Sequence, residues 1–312
     1  MKVIIYHYVR KYEKKSKYFR FLEFNNFKKQ LDYFASNFFF INYNQLQQII
    51  KKKIKPPKNS ILLTFDDGII DHYKYVYKEL MRRKIFGIFF VSTEPLEKKI
   101  FLDVHKIHIL IGKVKSKVLI DQLKNLILPS MIEKSKIKEF EYKTYATQSE
   151  TDETVYFKRI LNYLLKQKYK KNIINKLLAL NKIDLKVKNF YLSIKHIKEM
   201  KKNGMLIGSH TFSHQVLSRL SPKDQSKEIV KSLKYLYKKI GATGIKIFSF
   251  PYGEKYTYNN STLRILKKNK INASFTAYSK NISNTGYLIN NLEIPRYDCN
   301  EFPFGKLNKT KY

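Results

Sequence analysis

The chain of 312 residues contains very little cysteine, glycine, proline or tryptophan. Its single cysteine, Cys299, excludes an internal disulfide and therefore a disulfide-stapled extracellular scaffold. With only 10 glycines, 8 prolines and no tryptophan, the chain has a composition bias that extends over its whole length. We expect a protein of a reduced compartment.

Long apolar runs are also missing. Residues 1–9 contain a short apolar stretch that His7 interrupts and basic residues follow, so it lacks the apolar core of a secretory signal peptide. We interpret it as a first strand. No other stretch approaches the length that crosses a bilayer. We therefore expect a cytoplasmic protein with neither a signal peptide nor a transmembrane segment.

Acidic residues are few. The chain has 25 Asp and Glu against 62 Lys and Arg, a formal net charge of +37. Such a charge attracts phosphates, acidic glycans and anionic lipid head groups. The lysines occur in many separate segments and no nucleic-acid-binding motif accompanies them. This pattern indicates a generally solvated basic surface, so we expect weak association with an anionic membrane and no nucleic-acid partner.

Strand and helix patterns alternate along most of the chain. Apolar runs typical of buried strands lie at 61–65, 85–92, 205–209, 245–250 and 271–277. Segments with helical spacing lie at 26–34, 73–83, 193–203, 222–240 and 260–270. Strand, helix and strand in that order imply a parallel sheet.

One long segment departs from this alternation. Residues 101–190 are rich in lysine, poor in glycine and proline, and carry apolar residues at helical spacing. We predict a single α/β domain over residues 1–305, with a helical insertion at about 101–190 and a tail at 306–312. The 43% hydrophobic content supports a substantial core.

Two polar pairs stand directly after predicted strands. Residues 64–68 read TFDDG, and residues 209–214 read SHTFSH. The ends of parallel strands are where α/β folds place their chemistry. Two carboxylates and two imidazoles are enough for a metal centre with a general base beside it.

The spacing of the two histidines suggests how such a centre is built. His210 and His214 are four positions apart, which brings two side chains together on a helical turn and is common in zinc sites. A carboxylate from Asp66 or Asp67 completes a set of two imidazoles and one carboxylate, leaving open positions for water and substrate. The other carboxylate stays ionised beside the cation and takes a proton from water as it attacks a carbonyl. We expect a divalent metal, with zinc preferred.

Three motifs in order resemble those of a known family. They are TFDDG at 64–68, SHTFSH at 209–214 and FSFPYG at 248–253. Supporting matches are YHYV at 6–9, FFVS at 89–92 and GMLIG at 204–208. This set resembles the polysaccharide deacetylase family, carbohydrate esterase family four, which is defined by the NodB homology domain. The resemblance implies a distorted (β/α) barrel, here with a helical insertion, and metal-dependent removal of an acetyl group from an N-acetylated sugar.

The resemblance also assigns roles to individual residues. Asp66 is similar to the family's general base. Asp67 is similar to its carboxylate ligand, and His210 and His214 are similar to the other two metal ligands. The backbone N–H of Tyr252 resembles the donor that stabilises the oxyanion, a role that needs a fixed dipole rather than a particular side chain.

Two departures from the family pattern affect these roles. Many members carry an arginine at the start of the third motif to orient the catalytic aspartate, whereas this chain has Phe248 there; Arg296 is our candidate for part of that role. Many members also carry a late histidine as general acid, whereas no histidine follows His214 here. We take His7 as the preferred acid and His72 as the second choice.

We expect a metal-dependent hydrolase that removes an N-acetyl group from a sugar of a surface glycan or of its lipid-linked or nucleotide-linked precursor. It would meet that substrate at the inner face of the membrane. One alternative is a deformylase or another hydrolase of amide or imide C–N bonds on the same fold. A second is a non-catalytic glycan-binding protein with a degenerate site.

Overall fold

The structure, a computed structural model, describes residues 1–12, 19–140, 144, 151–241, 244–282 and 291–307. The chain divides into two compact units. Within the described residues, the first unit contains residues 1–12 and 21–100 and continues from residue 187 to residue 307. The second contains residues 19–20 and 101–186. The first unit carries the sheet and both polar pairs, and the second is helical.

The described strands follow in chain order: β1 (Lys2–Tyr6), β2 (Val9–Arg10), β3 (Leu22–Glu23), β4 (Phe39–Phe40), β5 (Ser60–Phe65), β6 (Gly87–Val91), β7 (Leu206–Ser209), β8 (Ile247–Ser249), β9 (Ala273–Phe275) and β10 (Tyr297–Asp298). The described α-helices are α1 (Phe24–Asn37), α2 (Tyr43–Ile50), α3 (Lys78–Arg83), α4 (Glu94–Lys98), α5 (Asp103–Lys113), α6 (Ser116–Leu126), α7 (Ile137–Phe140), α8 (Asp152–Arg159), α9 (Gln167–Leu180), α10 (Ile194–Lys202), α11 (Pro222–Ile240) and α12 (Asn260–Lys268). The described residues also form π-helices at His72–Tyr77 and Ile160–Leu164.

The main sheet of the first unit is parallel and curled. Its strand order is β10-β1-β5-β6-β7-β8-β9, with β4 also pairing with β5. The segment that leads into β10 joins the two edges, since Ile294 bridges Phe275 of β9 and Tyr297 pairs with Ile4 of β1. This architecture confirms the predicted distorted (β/α) barrel.

The strands read as unbroken apolar runs because both faces of the sheet are covered. All six residues of β5 are buried. Leu63 packs in one cluster with Phe27 and Leu31 of α1, and its neighbour Leu62 packs in the other with Leu46 of α2. The alternation along the strand therefore separates two apolar environments rather than core from solvent.

Several predicted bounds change in the structure. The predicted strands at 245–250 and 271–277 shorten to β8 and β9. Ile245, Phe250 and Ile271 are buried, so their apolar character reflects the core and not the ladder. The predicted helix at 73–83 begins as the π-helix His72–Tyr77.

Within the described parts of the chain, no helix combines the length and apolarity needed to cross a bilayer. The helical character predicted for the insertion is present, since the second unit's described residues 101–186 carry α5 to α9. The single domain over residues 1–305 stays a prediction. From residue 308 onwards, the predicted tail lies outside the described residues.

Candidate metal centre

The Asp pair lies where β5 leaves the sheet. Asp66 extends the ladder by one bond, since its backbone N–H donates to the Tyr6 carbonyl at 3.0 Å. Asp67 and Gly68 then take positive φ angles of 81° and 67°, so the chain turns sharply away from the strand. Both carboxylates face the Nε2 atom of His210, at 3.9 Å from Asp66 and 3.4 Å from Asp67.

Asp67, His210 and His214 bring one ligand atom each to a common point. The Oδ1 atom of Asp67 lies 3.4 Å from His210 Nε2 and 3.3 Å from His214 Nε2. Ligands about 2.1 Å from a zinc ion in a tetrahedral site stand about 3.4 Å apart, so the spacing fits a divalent metal. All three side chains are buried. Among the described residues, Asp67, His210 and His214 form the group whose histidine and carboxylate ligand atoms are spaced as in a metal site.

The hydrogen bonding and charge of His210 favour metal binding. Its Nδ1 atom lies 2.8 Å from the Ser249 carbonyl, which can only accept, so Nδ1 carries the proton and Nε2 presents its lone pair. Burial lowers the pKa of His210, but the Asp66 and Asp67 carboxylates outweigh it and raise the pKa. The same local excess of negative charge favours a metal cation at this point.

The prediction that a helical turn brings the two histidines together is wrong. No helix includes residues 210–214, which form an irregular loop after β7. Thr211 and His214 have φ angles of 64° and 58°, a left-handed backbone that costs about 1–2 kcal/mol for each non-glycine residue. The His214 N–H donates to Thr211 Oγ1 at 3.1 Å. This loop places the rings of His210 and His214 4.8 Å apart.

Asp66 is held beside the three ligands by a buried arginine. The Nη1 and Nη2 atoms of Arg296 donate to the two carboxylate oxygens of Asp66, each at 2.8 Å. Ser249 Oγ donates to Asp66 Oδ2 at 2.9 Å. Burial raises the pKa of Asp66, but Arg296 outweighs it, and the pKa falls to about 2. Asp66 is therefore an ionised carboxylate whose orientation is fixed.

Part of the sequence that builds this site matches a known protein family. A model of the polysaccharide deacetylase family matches residues 156–274. This match confirms the resemblance to the polysaccharide deacetylase family over that segment. The matched segment includes the histidine ligands and the third motif, whereas the Asp pair precedes it. No curated protein is similar enough to this sequence to count as a match.

Solved structures of deacetylases share the fold. The deacetylase PplD of Streptococcus pyogenes, solved in complex with acetate, superposes with a TM-score of 0.59 at 18% identity, over 96% of this chain and 91% of that one. IcaB from Ammonifex degensii gives 0.53 at 16% identity, over 95% and 90%. The BpsB deacetylase domain from Bordetella bronchiseptica gives 0.54 at 13% identity, over 95% and 94%.

At the third motif, the side chain that contacts Asp66 comes from Ser249 and not from Phe248. Phe248 points away from Asp66 into a cluster with Leu233 and Leu266 of the surrounding helices. Because side chains alternate along a strand, its neighbour Ser249 faces the site. The sequence motifs alone did not identify Ser249 as a site residue. Its Oγ contacts both Asp66 and Arg296, and its carbonyl fixes which nitrogen of His210 is protonated. The alternation along the FSFPYG motif is the sequence signal that singles it out.

Arg296 is anchored from several strands. It is fully buried, and its Nε donates to the Thr276 carbonyl at 2.6 Å. Nη1 also donates to Thr64 Oγ1 at 3.2 Å. Asp66 and Ser249 are further partners of its guanidinium. The late segment of the chain thus places a guanidinium where it holds the carboxylate after β5.

Tyr252 lies beside the metal ligands in an unusual backbone conformation. Its φ is 63°, and the following Gly253 has a φ of 67°. The Gly253 carbonyl accepts from the Ala277 N–H at 2.9 Å, which holds this turn against the chain after β9. The Tyr252 ring stands 5.0 Å from that of His214. The backbone of this motif is therefore fixed close to the site.

The two candidate acids occupy different environments. His7 follows β1 next to Asp66, and its side chain is exposed. His72 is fully buried, with its ring packed against Phe65 and Phe89. Burial lowers the pKa of His72 to about 4, so the ring is neutral, and its Nε2–H donates to the His7 carbonyl at 2.8 Å. His7 is open to a substrate, whereas His72 supports the backbone beneath it.

Proposed function

We propose that this protein is a member of the polysaccharide deacetylase family and a metal-dependent N-deacetylase. Its substrate is an N-acetylated sugar of a surface glycan or of a lipid-linked or nucleotide-linked precursor. Zinc is the proposed metal, because two imidazoles and one carboxylate suit it.

One observation carries the proposal: an ionised, oriented carboxylate stands beside three converging metal ligands. Asp66 is close to the ligand set, and Arg296 donates to both of its oxygens. The pKa of about 2 keeps Asp66 ionised at neutral pH, so the carboxylate is unprotonated when water approaches. A purely structural metal site has no need of such a neighbour.

The chemistry is the hydrolysis of an amide. When bound, the metal acidifies water and polarises the acetyl carbonyl. Asp66 takes a proton from the attacking water as the new bond from oxygen to the carbonyl carbon forms. The backbone N–H of Tyr252 donates to the oxygen that gains negative charge. As the C–N bond breaks, His7 donates a proton to the nitrogen, so acetate and a free amino sugar leave.

The proposal includes a location at an anionic membrane. The formal charge of +37 supports it, because basic residues near an anionic surface each contribute about 1 kcal/mol of attraction. We propose that the substrate is met on the cytoplasmic face. Cosedimentation with phosphatidylglycerol vesicles that disappears at high salt is the expected result, and equal sedimentation with neutral vesicles would contradict it. Salt-sensitive binding to DNA or RNA would overturn the proposed absence of a nucleic-acid partner.

The enzymatic test compares wild type with Asp66→Asn. We expect release of free amine from N-acetylated hexosamine oligosaccharides by the wild type loaded with zinc, and loss of that release on chelation. Asp66→Asn should release amine about 10²–10⁴-fold more slowly while keeping its metal, because the base is lost and the ligands remain.

The matched control is Asp224→Asn, the same chemical change at a half-exposed helix position. It should behave as wild type. A wild type without metal, or an Asp66→Asn variant as fast as wild type, contradicts the mechanism. Preferred release of formate from N-formyl sugars would replace the deacetylase by a deformylase, and glycan binding without amine release would indicate the binding protein.

A further inference from the structure

The loop between the two histidine ligands is held from outside by two helices. On one side, the backbone N–H groups of Thr93 and Glu94, where α4 begins, donate to the carbonyls of Thr211 and Phe212 at 3.3 and 2.9 Å. These bonds support the first half of the loop. They do not reach Ser213, the residue that directly precedes His214.

On the other side, one residue of α11 bonds to the loop three times. The Glu228 carbonyl accepts from the Phe212 N–H at 3.0 Å. Its carboxylate oxygens accept from the Ser213 N–H at 2.8 Å and from Ser213 Oγ at 2.6 Å. Among the described hydrogen bonds, those from the Glu228 side chain are the ones that link Ser213 to another element. They hold both the N–H and the Oγ of Ser213, the residue that directly precedes His214.

The position of His214 depends on this support. Thr211 and His214 both have positive φ angles, a conformation that persists only where surrounding contacts determine it. Removing a hydrogen bond that helps to orient a metal ligand typically weakens metal binding by about 10–100-fold. Since Ser213 leads directly into His214, releasing Ser213 frees the imidazole to leave the position opposite Asp67.

We infer that Glu228 is a positioning residue for the metal centre: by clamping Ser213 from α11, it holds His214 in the geometry that binds the cation. This inference rests on the metal site of the proposed function. It adds a residue that none of the three motifs contains. It requires no contact between Glu228 and either metal or substrate.

The test measures metal binding and needs no substrate. Zinc affinity is determined by competition with a chromophoric chelator for wild type, Glu228→Ala and Glu228→Gln. Glu228→Ala should bind zinc about 10–100-fold more weakly. Glu228→Gln should stay within about threefold of wild type, because its amide can accept from the Ser213 N–H and donate to Ser213 Oγ.

Two further readouts separate positioning from general stability. The visible spectrum of the cobalt(II)-loaded protein reports ligand geometry; it should change in Glu228→Ala and not in Glu228→Gln. Thermal unfolding of the metal-free proteins records any loss of stability separately. The control is Glu97→Ala on α4, which removes a nearby carboxylate that pairs with Lys231 and bonds to no loop residue among those described.

Wild-type zinc affinity and an unchanged cobalt spectrum in Glu228→Ala would overturn the inference. If that variant fails to fold, Ser213→Ala carries the test. It removes the 2.6 Å bond alone and should weaken zinc binding several-fold, and wild-type affinity there would equally overturn the inference. A failure of the proposed function gives a different result: the wild type binds metal but releases no amine.

Discussion

The proposed metal side of the site and its proposed leaving-group side are held very differently. On the metal side, Asp67, His210 and His214 are buried and their loops are bonded to several elements. On the proposed leaving-group side, His7 has an exposed side chain, and the ring of His72 donates to its backbone carbonyl. A fixed geometry suits metal binding, whereas an open side suits the entry of a polymer and the departure of its amine.

The largest effect should come from the open side. His7→Gln should lower kcat by about 10²–10⁴-fold, because it removes a general acid and keeps a polar side chain. Stability and zinc affinity should not change, since the side chain is exposed. Steady-state rates and zinc titration are the measurements.

His108→Gln makes the same change at a partly exposed histidine of the helical second unit and is the control for histidine loss. An unchanged kcat in His7→Gln would remove His7 from the mechanism. It would also leave the open side without the acid that the mechanism assigns to it.

An intermediate effect is expected where the two sides meet, at Arg296. Arg296→Lys keeps the charge but cannot bond to both oxygens of Asp66, so kcat should fall by about 10–100-fold with little change in KM. Arg296→Met leaves the Asp66 carboxylate buried without its partner and should lower the free energy of unfolding by about 3–5 kcal/mol. Urea unfolding and steady-state kinetics are the measurements.

Arg10→Lys is the matched control for Arg296→Lys, since Arg10 also pairs with a buried aspartate, Asp71, but is itself partly exposed. Its effect on kcat should be several-fold smaller. Equal effects in the two variants would mean that Arg296 acts through folding alone.

The smallest effect is expected for the Tyr252 side chain. Tyr252→Phe should keep kcat within about threefold of wild type, because the proposed donor is the backbone N–H and the left-handed turn is retained. Tyr252→Pro removes that N–H but cannot adopt the φ of 63°, so the much larger loss expected there combines the lost donor with the lost turn. A large loss in Tyr252→Phe would transfer the role to the hydroxyl.

The parts of the site that could be predicted lie in short segments at strand ends. TFDDG and SHTFSH carry their ligands within a few residues of a buried strand, so their convergence follows from a parallel sheet. Arg296 could be proposed because the third motif lacks the arginine that many family members carry there. Arg296 and Asp66 are 230 residues apart in the sequence. No local sequence pattern specifies that their side chains pair.

Other features depend on backbone conformations that residue types do not reveal. The left-handed Thr211 and His214 give an irregular loop where the four-residue spacing favoured a helical turn. The support from Glu228 was missed because an acidic residue on a lysine-rich amphipathic helix looks like part of a solvated face. The π-helix that places His72 beneath His7 has no signature of its own in the sequence.

The account depends most on Asp66 acting as a base beside an intact metal centre. The most direct measurement is the rate of amine release by Asp66→Asn, with its zinc content determined on the same sample. We expect a rate about 10²–10⁴-fold below wild type with one zinc ion retained per chain. A wild-type rate with zinc bound would contradict the account.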